Sequence, residues 1–308
     1  MDKFFVIIVA YNGLKWLPKC LTSTKPYPVI IVDNNSTDGT TDYIKSQHPE
    51  IILFEQKKNL GFGQANNIGI SYALNQGAEY VFLLNQDAYF VDDCLCKMLA
   101  LMKGNEEFGI LSPIHLNGNG TKLDENFSNY LIYSKNSDFY SDYVLNKTKQ
   151  KVYEVPFVNA AGWLISRNCL ETVGGFDPIF FHYGEDENYC QRLKFFDFKI
   201  GVAPNFFIKH DRQFRNKLNL QLGSKKYWEK IARSHKIKGA NINKSNIGDL
   251  EAALQNRKSA VFKSFLKFRF DAVKSYKREL EMLEENIPLI KRSLEINKKP
   301  GAHYLNLK

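Results

Sequence analysis

The chain of 308 residues is 44% apolar and 24% charged, and its 42 Lys and Arg against 33 Asp and Glu give a formal net charge of +9. This is the balance of a globular protein whose core is large enough for one or two domains. No apolar run approaches the roughly 18 residues that span a bilayer, the N-terminus lacks the layout of a signal peptide, and the five cysteines lack the pairing of a metal site, so we expect a reduced, cytoplasmic protein.

Strands and helices alternate along the first part of the chain. Apolar, β-rich runs predict buried strands at 4–10, 28–33, 51–55, 79–85 and 108–112, and helical spacing or helix-start signals predict helices at 14–23, 38–47, 63–76 and 91–103. Continuous apolar strands separated by helices are typical of parallel sheets covered on both faces. The predicted fold class is therefore α/β, with a Rossmann-like, mostly parallel central sheet and a ligand at the carboxyl ends of its strands.

This regular alternation stops at about residue 113. Residues 113–150 are rich in Asn, Gly, Ser, Asp and Tyr, which predicts loop with irregular strands, and regular structure is expected again over 152–166. After about residue 213 the composition becomes Lys-rich and helical, which predicts a C-terminal helical extension. We therefore predict a division into an α/β domain at 1–212 and a basic helical region at 213–308.

The C-terminal region carries the excess of positive charge. Residues 213–308 hold 22 Lys and Arg against 9 Asp and Glu, whereas the remainder has a net charge of −4. Pro288 is expected to end or kink the main helix of this region near Asn286. One apolar stripe with alternating three- and four-residue steps is predicted along that helix, with Arg269 filling one position, by Phe262, Leu266, Val273, Tyr276, Leu280 and Leu283.

Lysines and arginines flank this stripe, and three interpretations of it stay open. The helix packs on the body of the protein, or it makes a peripheral contact with an anionic membrane surface, or it associates with a second copy to form a homo-oligomer. Nucleic-acid binding would need a motif that the sequence lacks, so no nucleic-acid partner is expected.

Polar residues follow several of the predicted strands. Asp33 ends the second strand, where a carboxylate can accept hydrogen bonds from a base or a ribose. The glycines of NLGFGQANNIG do not meet the G-x-G-x-x-G spacing of a dinucleotide loop, so they indicate only a close backbone approach. Asn66 in this stretch is either a cap or a polar contact to substrate. After the strand at 79–85, Asp87 could hold one hard divalent cation.

Three adjacent carboxylates, Glu185, Asp186 and Glu187, follow a run of aromatic residues. They begin a predicted helix that runs from Asp186 to about Phe196, and the dipole of that helix favours negative charge at its N-terminus. Burial and a like-charged neighbour raise the pKa of a carboxylate toward the range of a general base. The alternative that the acids only complement the helix dipole stays open. His210, after a further strand-like run, is either structural or a ligand.

Taken together, these motifs resemble the glycosyltransferase family 2 enzymes, which are inverting transferases with a GT-A fold. The stretches VAYNG, VDNNSTDGT, NLGFGQANNIG, LLNQDA and GGFDPIFFHYGEDENYCQRL, followed by His210, occur in that family's order. The resemblance covers roughly residues 4–212. Within the family, the motifs resemble those of the capsule, O-antigen and rhamnosyltransferase-like branch. It implies that the domain at 1–212 is a GT-A catalytic domain that binds a nucleotide sugar.

The resemblance also implies a donor site and a cation site. Asn85-Gln86-Asp87 matches the family's D-x-D motif in its last position only, so Asp87 would bind a divalent cation, Mn²⁺ or Mg²⁺, on the diphosphate. His210 matches a family histidine that reaches the same ion. The residues expected to bind the nucleotide-diphospho-sugar donor are Tyr11, Asn12, Asp33, Asn66, Asn85 and Asp87.

On the acceptor side, the resemblance implies that Asp186 is the catalytic base and that Glu185 orients it or contacts the acceptor. Ala161 and Gly162 lie in the family's acceptor-side strand, where small residues could admit the donor sugar. Tyr183 and its aromatic neighbours would form a wall of the acceptor site, because sugar rings present apolar C–H faces.

The expected function is transfer of a sugar, with inversion, from a nucleotide-diphospho-sugar to a glycan or lipid-linked saccharide, in the synthesis of a bacterial-type surface polysaccharide. The expected place is the cytoplasm or, peripherally, the inner face of the membrane. Two alternatives are a catalytically weak nucleotide-sugar-binding module, which the incomplete D-x-D motif suggests, and a sugar nucleotidyltransferase. The latter needs a Gly-rich, basic phosphate loop where this chain has AYNGLKWLP.

Overall fold

The computed structural model describes residues 3–93, 95–212 and 221–308. The chain divides into two compact units, Met1–Asn216 together with Pro300–Lys308, and Lys217–Lys299. The predicted boundary at 212/213 adjoins residues that lie outside the described ones. The structure differs from the predicted division at the other end, because residues 300–308 group with the first unit and not with the helical region.

A single mixed sheet forms the centre of the first unit. Within the described ranges its strands are β1 (Phe4–Ala10), β2 (Val29–Asp33), β3 (Ile52–Glu55), β4 (Tyr80–Asn85), β5 (Ala88–Val91), β6 (Phe108–Asn117), β7 (Tyr153–Glu154), β8 (Gly162–Ser166) and β9 (Lys199–His210). Their order is β3-β2-β1-β4-β8-β6-β9-β5, and β7 also pairs with β9. The strands from β3 to β4 are parallel, whereas β8 runs antiparallel to both of its neighbours.

Helices cover both faces of this sheet, as the apolar strands predicted. The helices of the first unit are α1 (Leu17–Thr24), α2 (Thr40–Gln47), α3 (Phe62–Asn75), α4 (Leu95–Lys103), α5 (Glu125–Tyr130), α6 (Ser137–Val144), α7 (Arg167–Val173) and α8 (Glu185–Phe195). Successive side chains of β1 point to opposite faces. Phe5 and Ile7 join the core under α3, α7 and α8, and Val6 and Ile8 join the core under α1, α2 and α4.

Two parts of the first unit differ from the sequence prediction. Residues 113–150 are not loop with irregular strands, because β6 continues to Asn117 and is followed by α5, a 3-10 turn at Tyr133–Lys135 and α6. Phe127 and Phe139 anchor these short helices in the core, so burial offsets their weak helical propensity. The helix expected over 91–103 begins only at Leu95, because Ala88–Val91 pairs with β9 as a strand.

The second unit contains the helices α9 (Lys225–Gly239), α10 (Ile247–Leu266) and α11 (Phe270–Asn297). The single striped helix predicted here is wrong, because the chain turns at Lys267–Arg269, where Phe268 has a left-handed φ of 55°. Pro288 does not end the helix near Asn286, since α11 continues to Asn297, and the alternative of a kink there stays a prediction. The buried Leu283, Ile287, Ile290 and Leu294 of α11 recur at helical spacing, and their packing holds the helix past the proline.

Ion pairs fix the register of the antiparallel hairpin that α10 and α11 form. Arg257 Nε lies 2.7 Å from Glu279 Oε2, and Lys291 Nζ lies 2.5 Å from Glu251 Oε1. Among the helices that the structure describes, none is both long enough and apolar enough to cross a membrane.

Candidate active site

The predicted donor residues gather at one edge of the sheet. In the parallel register Ala10 pairs with Asp33, and Val9 pairs with Asn85. Tyr11, Asp33 and Asn85 therefore stand side by side at the carboxyl ends of β1, β2 and β4, which is where open α/β sheets bind ligands. Tyr11 is half exposed, at 47%, whereas Asp33 is buried.

Side chains tie the loops of this edge together. The Asn12 backbone N–H donates to Ser36 Oγ at 2.9 Å, and Asn12 Oδ1 accepts from the Thr37 N–H at 2.8 Å. Gln86 binds Tyr11 reciprocally, since its Oε1 accepts from the Tyr11 N–H at 2.9 Å and its Nε2 donates to the Tyr11 carbonyl at 3.1 Å. The sequence analysis assigned no role to Gln86, which fixes the backbone of Tyr11.

Asp33 presents an unused acceptor to the site. One oxygen, Oδ2, accepts from the Ser36 N–H at 2.9 Å. The other, Oδ1, is buried and has no hydrogen-bond partner among the residues that the structure describes. A buried carboxylate oxygen without a donor is costly, so the N–H of a base or the hydroxyl of a ribose would satisfy it.

The two adjacent asparagines of the glycine-rich stretch, Asn66 and Asn67, have structural partners. Asn66 Nδ2 donates to the Phe62 carbonyl, one turn back in α3, at 3.0 Å. Asn67 binds the Phe176 backbone reciprocally, through Oδ1 at 2.7 Å and Nδ2 at 2.8 Å. Asn66 is therefore not a cap, because its amide nitrogen donates to a carbonyl within α3, whose N-cap is Gly61. Its predicted contact with the donor stays a prediction.

Gly61 brings this stretch against the acid-bearing loop. It adopts a left-handed φ of 82°, and a Cβ there would lie 1.9 Å from the Phe181 carbonyl oxygen. Asn34, at the end of β2, holds the same turn because its Nδ2 donates to the Gly61 carbonyl at 3.0 Å. The turn at Gly61, which Asn34 holds against the end of β2, is therefore in direct contact with the loop before α8.

A buried cluster surrounds Asp87 and His210. The pairing of Ala88 with His210 between β5 and β9 sets Asp87 beside the imidazole, with Oδ1 3.4 Å from His210 Nε2. On the other side of the ring, His210 Nδ1 lies 3.9 Å from Asp124 Oδ2. Because the two ring nitrogens face opposite ways, Asp124 and Asp87 cannot both join His210 around one ion.

Asp124 is a residue of this cluster that the sequence analysis missed. It caps α5 by accepting from the Phe127 N–H at 2.9 Å, and Arg212 Nε donates to its Oδ2 at 2.9 Å. Burial disfavours the charged carboxylate, but these bonds keep the pKa of Asp124 below its usual value. The order Asp-Glu-Asn-Phe is a helix-start signal, although the surrounding polar composition hid it.

His115 lies against the same cluster, with its ring centroid 6.3 Å from that of His210. It is fully buried on β6, and its Nε2 lies 3.0 Å from Ser112 Oγ. Burial, together with the nearby His210, lowers the pKa of His115 to about 3. A neutral His115 therefore adds no positive charge beside the proposed cation position.

The acid cluster opens α8, as predicted. Glu185 is buried, Asp186 is half-buried and Glu187 is exposed. Burial is the main cause that raises the pKa of Asp186 to about 6; the Glu187 N–H, which donates to Asp186 Oδ1 at 2.8 Å, opposes this, and the charge of Glu187 adds to it. A carboxylate with this pKa is a usable base near neutral pH.

A series of hydrogen bonds and contacts runs from Asp186 towards His210. The Ala160 N–H donates to Asp186, and the carbonyl of the next residue, Ala161, accepts from the Asn85 N–H at 3.1 Å. Asn85 Nδ2 in turn lies 3.5 Å from His210 Nε2. Burial and the charge of Asp186 also raise the pKa of Tyr130. The charge of Arg212 lowers the same pKa, and that of Asp124 raises it. Tyr130 is therefore within electrostatic reach of both Asp186 and the Asp124–Arg212 pair.

The small residues predicted on the acceptor side are buried in the sheet. Ala161 is fully buried, and a Cβ on Gly162 would lie 2.6 Å from Ile208 Cδ1. Close packing against Ile208 of β9 explains why Gly162 is small, and the contact of both residues with a sugar stays a prediction. Tyr183, by contrast, is 53% exposed and follows the exposed Phe181 in the loop before α8.

Asp87 and His210 suit a divalent cation as a pair. A carboxylate oxygen and an imidazole nitrogen, both buried, face one another at 3.4 Å, and both are ligands that Mn²⁺ accepts. Among the described residues, no group of three or more His, Cys, Asp and Glu side chains is arranged to hold an ion. An ion at this pair would therefore need oxygens from a bound ligand.

Comparison with known proteins decides the family. The model of the family described as "Glycosyl transferase family 2" matches residues 5–174, which is more than half of the chain. The chain belongs to glycosyl transferase family 2. It is thus a glycosyltransferase, and the predicted family is confirmed. The family 2 match contains the carboxyl ends of β1, β2 and β4 and also Asp87. It ends before α8 and His210.

Individual relatives are distant. The chain is 22% identical over 216 residues to an N-acetylglucosaminyl-diphospho-decaprenol L-rhamnosyltransferase of Mycobacterium tuberculosis, covering 62% of this chain and 70% of that protein. Among solved structures, GalNAc-T7 with UDP, GalNAc and Mn²⁺ has a TM-score of 0.57 at 16% identity, and the match covers 94% of this chain but only 58% of that one.

A mannosyltransferase of Pyrobaculum calidifontis, in complex with GDP-Man and Mn²⁺, has a TM-score of 0.51 at 18% identity and covers 97% of this chain and 88% of that one. At these identities the two structures support the fold alone. The mixed α/β fold with a central sheet, predicted from the sequence, is confirmed.

Proposed function

We propose that this chain transfers a sugar, with inversion, from a nucleotide-diphospho-sugar to a hydroxyl of a saccharide or lipid-linked acceptor. The observation that carries the proposal is the position of Asp186, a half-buried carboxylate with a pKa of about 6, linked through Ala160 and Ala161 to Asn85 and His210. Inversion needs a base on one face of the sugar and a stabilised leaving group on the other. In the proposed mechanism Asp186 is the base, and Asp87 with His210 acts on the leaving-group side.

In this mechanism the donor binds across the carboxyl ends of β1, β2 and β4. The unused Oδ1 of Asp33 accepts a hydrogen bond from the base or the ribose, and Tyr11, fixed by Gln86, lies beside it. Asp186 takes the proton of the acceptor hydroxyl as the oxygen attacks the anomeric carbon, because an alcohol is a poor nucleophile at neutral pH. Glu185 orients this base or the acceptor, and the exposed Tyr183 offers a face to a sugar ring.

Asp87 and His210 would hold a Mn²⁺ or Mg²⁺ ion together with oxygens of the diphosphate. Bound there, the ion would neutralise charge on the leaving nucleoside diphosphate. Mn²⁺ in the solved structures of the two fold relatives supports this choice. Burial of both protein ligands favours an ion that arrives with its diphosphate, since an unpaired charge there would be poorly solvated.

The acceptor class is proposed from the relatives. The name of the mycobacterial relative describes transfer of a deoxyhexose to a lipid-linked saccharide, which supports a lipid-linked acceptor in a bacterial-type surface polysaccharide, of the capsule or O-antigen kind. A catalytically weak binding module is the second candidate, favoured by Asn85 in the first place of the D-x-D motif. Family membership and the loop after β1 disfavour a sugar nucleotidyltransferase.

Substitution of the base tests the proposal. Asp186→Asn should lower transfer or donor hydrolysis, measured on a panel of nucleotide sugars with Mn²⁺ or Mg²⁺, by about a hundredfold or more. Glu187→Gln, an equal change of charge at the exposed neighbour, is the matched control and should retain turnover. Calorimetry should show that Asp186→Asn still binds the donor, and that Asp87→Ala binds it weakly with or without the ion.

Two results would contradict parts of this proposal. Unchanged turnover in Asp186→Asn would remove that residue as the base. Donor binding that is tight in a chelator, and unaffected by Asp87→Ala, would remove the cation. Binding without turnover by the unaltered chain, across the donor and acceptor panel, would favour the binding module.

A further inference from the structure

The end of the α10–α11 hairpin exposes an unusual set of side chains. We call residues 262–270 the hairpin tip. Its large apolar side chains are mostly in solvent, with exposed fractions of 65% for Phe262, 57% for Phe265, 60% for Leu266, 78% for Phe268 and 62% for Phe270. Aromatic residues seldom stand exposed together on a folded surface without a partner that covers them.

This exposure belongs to a defined turn. The Phe268 N–H donates to the Phe265 carbonyl at 3.0 Å, and the Arg269 N–H donates to the Ser264 carbonyl at 3.0 Å. Phe268 takes a left-handed φ of 55° to reverse the chain, and its ring lies 6.3 Å from that of Phe270. The turn therefore gives the aromatic residues defined backbone positions.

Positive charge is interleaved with these rings. Lys263, Lys267 and Arg269 are exposed within the tip, and Lys274 and Lys277 are exposed on the first turns of α11. Asp271 is the single acidic residue in the sequence between Lys258 and Glu279. The acids of the hairpin lie farther along its stem, where Glu279 and Glu284 pair with Arg257 and Lys258.

We propose that the hairpin tip docks on the surface of an anionic lipid bilayer, with its aromatic rings in the acyl boundary and its lysines and Arg269 at the headgroups. Aromatic rings beside Lys and Arg are what an interfacial anchor requires, and each cation near an anionic leaflet adds attraction. A second copy of this chain fits less well, because a two-fold contact would set the same positive patches against each other. The proposal is independent of the sugar that the enzyme transfers.

Co-sedimentation of the full chain with vesicles tests it. The chain should bind vesicles of phosphatidylcholine mixed with phosphatidylglycerol, and bind phosphatidylcholine alone much less. Combined Phe265→Ser, Phe268→Ser and Phe270→Ser should weaken binding by roughly tenfold for each ring that enters the bilayer. Combined Lys263→Gln, Lys267→Gln and Arg269→Gln should abolish the preference for phosphatidylglycerol.

A matched control comes from Val144 and Leu145, which are 79% and 63% exposed at the end of α6. Val144→Ser with Leu145→Ser removes exposed apolar area elsewhere and should leave vesicle binding unchanged. As a measurement that keeps the ring, Phe268→Trp should add tryptophan emission that shifts to the blue, and is quenched by brominated lipid, when anionic vesicles are present.

Three outcomes would overturn the proposal. The unaltered chain could stay in the supernatant with anionic vesicles, or the triple serine variant could sediment as well as the unaltered chain. In ultracentrifugation without lipid, self-association that the triple serine variant loses, together with absent vesicle binding, would assign the tip to a second copy.

Discussion

In the proposed mechanism Asp186 must be ionised to accept a proton, so its raised pKa would set the pH dependence of the reaction. Because burial raises that pKa to about 6, we expect kcat/KM to fall about tenfold per unit as pH drops below 6. Glu187→Gln removes a charge that raises this pKa and should move the acid limb to lower pH. Initial rates measured over about pH 4.5 to 8 give the acid limb of the unaltered chain and that of Glu187→Gln. If the limb does not move in the variant, the titration belongs to another group.

The raised pKa of Asp186 also makes the stability of the folded chain depend on pH, and here a rise in pH lowers stability whereas it raises kcat/KM. Its pKa is raised above the ordinary value of 3.8, so the folded chain binds the proton more tightly, and this contribution to stability is lost as pH rises from about 4 to 6. Asp186→Asn cannot ionise. At neutral pH it should therefore increase the free energy of unfolding by about 1 kcal/mol, discounted for partial exposure, and near pH 4 the increase should vanish. Urea unfolding at the two values checks the sign.

At the scale of single residues, the sequence predicted acids at strand ends but not the side chains that support them. Asp33 ends one apolar run and Asp87 follows another, and the ends of both runs can be recognised in the sequence. Gln86 supports Tyr11 across 75 residues, Asn34 supports Gly61 across 27, and Asp124 meets Arg212 across 88. An amide that binds a distant backbone looks like any other polar loop residue, so these roles needed coordinates.

Among the elements, the contact between the turn before α3 and the loop before α8 can be tested through Gly61. Gly61→Ala adds both the strain of a backbone conformation, φ 82° and ψ 173°, that is nearly confined to glycine, about 2 kcal/mol, and a collision with the Phe181 carbonyl. We expect a loss of about 3 kcal/mol in the free energy of unfolding, or a displaced loop with weaker acceptor binding.

Gly77→Ala is the matched control for this substitution. Gly77 has a similar left-handed φ of 79°, yet a Cβ there would meet nothing within 4 Å. Its alanine variant should lose only the backbone strain, and chemical denaturation of both variants isolates the contact. Equal losses would mean that the two loops do not depend on each other.

Whether the sequence predicted an element depended on how its apolar residues are arranged. The strands β1, β2 and β4 are continuous apolar runs, so their positions could be predicted. The strand β5 is only four residues long and gains its pairing from β9, more than 100 residues later. The helices α5 and α6 lie in polar sequence and depend on single buried rings, and Pro288 lies inside a helix that buries Leu283, Ile287, Ile290 and Leu294.

For the molecule as a whole, residues 300–308 complete the first unit. The Gly301 N–H donates to the Thr172 carbonyl at 2.8 Å, the Gly175 N–H donates to the His303 carbonyl at 2.8 Å, and the Asn306 N–H donates to Ser71 Oγ at 2.9 Å. Leu305 and Leu307 pack against the core on that side. The Lys-rich composition of the preceding helices gave no sign of this return.

Truncation after Lys299 should therefore destabilise the first unit. At about 1 kcal/mol for each hydrogen bond, and more for the two leucines, we expect a loss of about 3 kcal/mol or more in its free energy of unfolding. Lys298→Ala with Lys299→Ala changes exposed residues just before the segment and should alter stability little. A truncated chain that unfolds at the same denaturant concentration as the intact one would show that the segment is dispensable.

The return of residues 300–308 also constrains the order of events during synthesis. A ribosome makes the sheet first and then the helices α9, α10 and α11. Only afterwards does it make residues 300–308, which bond to Ser71 and Thr172. The first unit cannot reach its final packing on a nascent chain that ends at residue 299, so its last folding step follows the synthesis of the second unit.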